Sequence, residues 1–255
     1  MLLAIDVGNT QTVLATFDGD QLTHSWRVRT NQYSTADELA LLYRGLLAAD
    51  DMTVTGIVAC STVPALVREL RVMFARYFSG LTTAIVEPGV KTGVRLAVDN
   101  PKEVGTDRVM NSLAAYELYG GPAIVVDFGT STNFDVIGPA GEFLGGALAA
   151  GIEISVEALA SRAAALRKVE LVKPESVIGK NTVTSLQSGT IYGFAGQVDG
   201  IVRRIVAEIG PVRAVIATGG LASLVADETS VITHREPDLT LIGLRYVFAH
   251  HYPTR

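Results

Sequence analysis

Two stretches of this chain end an apolar run on the same signature, Asp-x-Gly, and then turn polar. The first is Leu3-Ala4-Ile5-Asp6-Val7-Gly8-Asn9-Thr10. The second is Ile124-Val125-Val126-Asp127-Phe128-Gly129-Thr130-Ser131-Thr132, about half of the 255-residue chain further on. Such a segment has few ways to fold. The apolar run is a buried strand that delivers its Asp to the end of a sheet. The Gly lets the backbone pass close to a ligand or adopt φ > 0. The hydroxyls and N–H groups that follow can hold phosphate oxygens. A carboxylate repels phosphate, so the Asp belongs there only with a cation in between. A strand followed by an ordinary Asp-Gly turn would account for one copy equally well, but less readily for two at half-chain spacing. The repeat points to two loops around a metal–nucleotide complex.

The length fits one large or two ordinary domains. Hydrophobic residues make up 48% and charged residues 18%, enough apolar matter for a substantial core. The net charge of −5 and the lack of any basic run argue against nucleic acid or an anionic membrane as partner. Cys60, in the apolar run Gly56-Ile57-Val58-Ala59-Cys60, is the single cysteine, so no intrachain disulfide forms; a buried, inert thiol is expected. The apolar N-terminal run stops at Asp6, too short for a secretory signal, and no stretch approaches the roughly 20 apolar residues of a membrane span. A cytoplasmic setting is expected. The four His residues (His24, His234, His250, His251) have no metal-ligand spacing.

In chain order, residues 2–7, 12–17 and 22–29 read as three strands, with Asp18-Gly19-Asp20 as a hairpin turn. Ser34 or Thr35 caps a helix with Leu39, Leu42, Tyr43, Leu46 and Leu47 on its apolar face. A strand over 55–60 leads to a helix opened by Pro64, and 83–86 is a short strand. Residues 87–108 form a long loop, a length more often functional than idle. A helix over 108–119 turns Val109, Leu113, Tyr116 and Leu118 inward. The second half repeats the order: strands at 124–127, 133–137 and 142–148, a helix over 153–166, and a helical pattern over 183–208 interrupted by Gly193 and Gly196. A strand over 214–217 then runs into Thr218-Gly219-Gly220, in the position that Cys60-Ser61-Thr62 holds in the first half. The order β-β-β-α-β-α, taken twice, is that of the ribonuclease-H-like unit. The expected fold is therefore α/β, with two ribonuclease-H-like domains facing a nucleotide cleft (the acetate and sugar kinase/Hsc70/actin architecture). The domains are 1–118 and 119–255, with a C-terminal helix over 240–250 able to pack on either half.

The loop Asp99-Asn100-Pro101-Lys102-Glu103-Val104-Gly105-Thr106-Asp107-Arg108 meets a helix start. There Asp107 could accept a proton from a substrate hydroxyl while Arg108 orients an anionic substrate. A helix-capping Asp beside a surface Arg is the simpler local reading, and these residues alone favour it.

Taken together, Asp6-Val7-Gly8-Asn9-Thr10, Asp99-Asn100-Pro101, Glu103 to Arg108, Asp127-Phe128-Gly129-Thr130, Gly145-Gly146, Gly179-Lys180-Asn181-Thr182 and Thr218-Gly219-Gly220 resemble the type III pantothenate kinases essentially from end to end. The resemblance implies ATP-dependent phosphorylation of pantothenate to 4′-phosphopantothenate, the first step of coenzyme A synthesis. It implies that Asp6, Val7, Gly8, Asn9, Thr10, Gln11, Thr12 and Val13, with Thr130, bind ATP. Gly105, Thr106, Asp107, Arg108 and Thr182 would bind pantothenate, with Asp107 as catalytic base. Asp6 would stand near Mg²⁺, directly or through water, and Asp127 would ligate a monovalent cation, K⁺ or NH₄⁺. A homodimer is implied, with no nucleic-acid or membrane partner. Two positions depart from the family pattern. Val98 stands where many members carry Tyr, and Ser131, with Asn133 close by, follows Thr130 where Ala is usual. A non-catalytic regulatory or binding protein on the same scaffold, or a kinase for another hydroxy-carboxylate or a sugar, are the competing readings.

Overall fold

The computed structural model describes residues 1–162 and 169–252. The chain forms two compact units. The first comprises residues 1–94, 99–114 and the segment from Thr240 onward; the second comprises 95–98 and 115–239.

The first unit is built on β1 (Leu2–Val7), β2 (Gln11–Asp18), β3 (Gln21–Arg29), α1 (Ala36–Ala49), β4 (Gly56–Ser61), α2 (Pro64–Tyr77) and β5 (Thr82–Val86). A single 3₁₀ turn, Pro101–Glu103, precedes α3 (Thr106–Tyr119), whose last turns belong to the second unit. The sheet order is β3-β2-β1-β4-β5, with β1 antiparallel to β2 and parallel to β4. In the second unit β6 (Ala123–Phe128), β7 (Ser131–Ile137) and β8 (Phe143–Ala150) are followed by α4 (Ile152–Arg162) and α5 (Thr182–Ile209). After them come β9 (Ala214–Thr218), the short α6 (Ala222–Val225) and β10 (His234–Arg235). Its sheet, β8-β7-β6-β9-β10, repeats the first strand for strand. The helix α7 (Leu239–His251) belongs, from Thr240, to the first unit.

Alternation along the central strands decides where each acidic residue points. Leu3, Ile5 and Val7 of β1 join a core with Leu39, Tyr43 and Leu47 of α1 and Leu66, Leu70, Met73 and Phe74 of α2. Successive strand residues face opposite sides, so Asp6 emerges on the other face. The same holds for β6. Ile124, Val126 and Phe128 pack with Phe134 and with Ala195, Val198 and Val202 of α5, which leaves Asp127 on the opposite face.

Local signals form as expected at several points. Thr35 and Glu38 make a reciprocal capping box at the start of α1, and Pro64 occupies the first turn of α2. Three expectations need correction. Leu42 and Leu118 stay exposed rather than inward. The long helix α5 runs unbroken through Gly193 and Gly196, where an added Cβ would meet nothing within 4 Å. Its buried stripe Ile191, Ala195, Val198 and Val202 outweighs the roughly 1 kcal/mol that each helical glycine costs. Part of the 87–108 loop is held as well. Residues 95–98 run beside β8, with Phe143 N–H donating to Arg95 O at 2.9 Å and Ala97 N–H to Phe143 O at 2.8 Å. The expected helix over 153–166 is seen to Arg162; residues 163–166 lie outside the described residues.

Candidate active site

In the first unit the end of β1 turns into β2 through Gly8-Asn9-Thr10. Gly8 N–H donates to Gln11 O at 3.0 Å, and a Cβ on Gly8 would lie 3.0 Å from that same oxygen. The residue expected to bind phosphate is thus held as a tight turn that a larger side chain would crowd. The far side is tied to β3: Thr30 N–H donates to Thr10 O at 3.0 Å, and the Thr12 and Thr30 hydroxyls are 2.8 Å apart. Asn9, Thr10 and Gln11 stay exposed, while Thr12 is buried.

Asp6 is half-buried. It is paired in register with Val13 of β2 and Cys60 of β4, so the three side chains share one face of the sheet. The Cys60 thiol donates to Asp6 Oδ1 at 3.3 Å. Burial, and then the charge of Asp107, push the Asp6 carboxyl up to about 7, against the opposing hydrogen bond from Cys60 and the charge of Arg27. Cys60 is fully buried, and burial followed by the charges of Asp6 and Asp107 raise its thiol well above the usual range. It is buried as expected, and it is also the partner of Asp6.

Asp107 lies in the first turn of α3. Gly105 O accepts from Val109 N–H at 3.2 Å, opening the helix, and the Asp107 carboxyl folds back over Gly105 so closely that a Cβ there would collide with Oδ1. Burial raises the Asp107 pKa; the backbone N–H of Arg108 and the Arg108 charge oppose the shift. Thr106 is buried, and Gly105, Asp107 and Arg108 are half-buried. The first unit therefore brings Asp6, Cys60 and Asp107 into electrostatic contact, two carboxyls of raised basicity beside one buried thiol.

In the second unit Asp127 takes the place of Asp6. Its register partners are Asn133 on β7 and Thr218 on β9. Both are buried, so the row supplies oxygen donors where the Asp6 row has Val13 and Cys60. Gly219, at φ +89°, packs against the acid: an added Cβ would lie 2.5 Å from Asp127 Oδ1 and 2.7 Å from the Phe128 backbone. Thr130 is exposed on the turn, where Gly129 N–H donates to Ser131 O at 3.0 Å. Ser131 donates to Asn133 Oδ1 at 2.8 Å, so this departure from the family pattern and its neighbour form one hydrogen-bonded pair. Val98 is half-buried beside Gly145. Thr182 is the exposed first residue of α5, on a loop apart from the Asp127 turn in sequence. Sequence reasoning overlooked Cys60 and Thr218 as partners of the two acids. Their signal was the matched position of the two strand ends.

The fold is that of a broad class of kinases and ATPases. The inorganic polyphosphate/ATP-glucomannokinase of Arthrobacter sp. superposes with a TM-score of 0.54 at 15% identity, covering 98% of this chain and 99% of that one. An activator of 2-hydroxyisocaproyl-CoA dehydratase from Clostridium difficile, solved with bound ADPNP, gives 0.54 at 10% identity, covering 100% and 98%. Sequence narrows the class. Residues 2–204 match the family model for type III pantothenate kinase. A type III pantothenate kinase from Salinispora arenicola is 68% identical over 248 residues, 97% of this chain and 98% of that protein; one from Frankia alni is 66% identical over the same length and shares. The chain belongs to the type III pantothenate kinases.

Proposed function

We propose that the chain transfers the γ-phosphoryl group of ATP to the primary hydroxyl of pantothenate. The observation that carries this reading is the Asp107 carboxyl at the start of α3, raised in basicity and within electrostatic reach of Asp6 at the end of the phosphate turn. The substrate hydroxyl oxygen attacks the γ-phosphorus, the new O–P bond forms as the β,γ-bridging O–P bond breaks, and ADP leaves. Asp107 accepts the hydroxyl proton, and a raised pKa makes it the better base. Residues Asp6 to Val13 and Thr130 hold the nucleotide. Gly105, Thr106 and Thr182 line the pantothenate, and the planar Arg108 fork pairs with its carboxylate.

The donor sets fit the two cations that the family implies. Asp6 and Asp107 disfavour each other's ionised forms, and a divalent ion would relieve that repulsion. Among the described residues no cluster of three or more His, Cys, Asp or Glu side chains could hold a metal alone. Phosphate oxygens and water would complete the shell, as is usual for Mg²⁺. Such an ion would neutralise charge on the transferring phosphoryl group. Around Asp127 the neighbours Asn133 and Thr218 add an amide carbonyl and a hydroxyl, oxygens of the kind that K⁺ or NH₄⁺ takes. The reading includes a cytoplasmic homodimer. Large apolar side chains exposed on the second unit support assembly, with Leu148 at 68%, Val177 at 64% and Ile178 at 79%. No helix among the described residues is long and apolar enough to cross a membrane.

The test is ADP release from ATP and Mg²⁺ with pantothenate, with and without K⁺, for the native chain and Asp107→Asn. The expected result is K⁺-stimulated turnover that needs pantothenate and falls roughly 10²–10⁴-fold in the variant with ATP binding retained. Turnover with a sugar alone would move the substrate assignment. Pantothenate binding without turnover would make the chain a binding protein.

A further inference from the structure

The geometry points to Arg27 as a nucleotide-phosphate-binding residue of the same site. This inference rests on the reading of Asp6 to Val13 as the ATP-binding segment. Arg27 pairs in register with Val13, and Val13 pairs with Asp6. Directly opposed strand residues point the same way, so Arg27 and Asp6 share one face of the sheet. Its neighbours Trp26 and Val28 pack against the core on the other face, which fixes the direction in which Arg27 projects.

The side chain is also held at the phosphate turn. Arg27 Nη1 donates to Gln11 Oε1 at 2.8 Å, and Gln11 is the residue whose carbonyl closes that turn on Gly8. The strand end that carries Arg27 is tied to the turn as well, through Thr30 N–H to Thr10 O at 3.0 Å and the Thr12–Thr30 hydroxyl pair. A guanidinium has five N–H donors. Gln11 occupies one, and the planar fork that remains is suited to two oxygens of one phosphate. The site otherwise gathers acidic groups, Asp6 and Asp107, and a bound triphosphate would add further negative charge. A cation positioned by the turn itself offsets that charge without sharing a cation's coordination shell. Arg108 is assigned to the pantothenate carboxylate, so the two arginines serve different substrates.

The experiment compares the native chain with Arg27→Gln and Arg27→Lys by steady-state kinetics in both substrates. Calorimetric titration with ATP and with ADP, in Mg²⁺, runs alongside. Arg27 is exposed, so the variants should melt within about 2 °C of the native chain. The expected result for Arg27→Gln is a roughly 10–100-fold loss of kcat/KM for ATP, with KM for pantothenate changed less than about twofold. Lys should restore part of the loss, because it keeps the charge and not the fork. Unchanged ATP parameters in Arg27→Gln, beside a native chain that turns over, would overturn this inference and leave the proposed function standing. A rise confined to the pantothenate KM would also overturn it. A native chain that neither binds nor consumes ATP would remove the proposed function, and this inference with it.

Discussion

Cys60 and Asp6 lie at the same register on neighbouring parallel strands, and the thiol donates to Asp6 Oδ1 at 3.3 Å. The contact holds one carboxylate oxygen of Asp6. Cys60→Ala removes the donor and leaves a small void in a fully buried position. It should cost about 1–2 kcal/mol in denaturant unfolding. It should also raise the Mg·ATP requirement more than the pantothenate KM. Cys60→Ser keeps a donor and should recover most of the Mg·ATP effect. Equal KM changes for both substrates would show that the contact is structural only.

The Asp6 carboxyl predicts a pH dependence of stability in the nucleotide-free protein. Its folded pKa of about 7 lies above the ordinary 3.8, so between those values the folded state holds a proton that the unfolded chain has released. Stability from this group is therefore complete below about pH 4 and declines as pH rises towards 7. Urea melts from pH 5 to pH 8 should show the native chain losing roughly 1–3 kcal/mol relative to Asp6→Asn, the half-buried position moderating the effect. Nucleotide with Mg²⁺ should flatten the slope. Parallel curves for the two proteins would show that Asp6 ionises normally.

Gly219 offers a test on the second unit. Its φ of +89° disfavours any L side chain, and a Cβ there meets Asp127 Oδ1 and the Phe128 backbone. Gly219→Ala should cost about 1–3 kcal/mol and displace the Asp127 carboxyl. If Asp127 ligates a monovalent cation, any activation by K⁺ should weaken or vanish with it. Retained K⁺ activation at native strength would separate Asp127 from the monovalent cation.

The strands of both halves and the placing of both acids at strand ends were legible in the sequence, because each run is apolar until it stops at Asp; the face each acid takes was not, because neither run alternates. The partners of those acids were not. Cys60 is 54 positions from Asp6, and the register that brings them together is set by packing of whole strands rather than by either local stretch. The two-residue β10 has no period to read, and it forms because Thr233 N–H and Glu236 N–H bond to β9 carbonyls. Leu118 carries a helical apolar signal, but in the last turn of α3 it stays exposed. Gly193 and Gly196 suggested a break in α5 because propensity was weighed without the buried stripe that holds the helix together.

The start of α5 decides whether Thr182 can serve a substrate, and its construction makes the last prediction specific. Asn181 Oδ1 accepts from Thr184 N–H at 2.9 Å, while Thr184 Oγ1 accepts from the N–H groups of Lys180 at 3.1 Å and Asn181 at 3.3 Å. A Cβ on Gly179 would fall 2.6 Å from Ser185 Oγ, so the chain enters the helix by a path open to glycine alone. The loop is thus pinned from both sides, and Thr182 is exposed at its head. Asn181→Ala and Thr184→Val each remove one half of this box and should cost about 1 kcal/mol. If Thr182 contacts pantothenate, both should also raise its KM several-fold at near-constant KM for ATP. Thr182→Val, which leaves the box intact, should raise the pantothenate KM with no change in melting temperature. A melting shift without any change in KM across the three variants would assign this loop to stability alone and move the second pantothenate contact elsewhere.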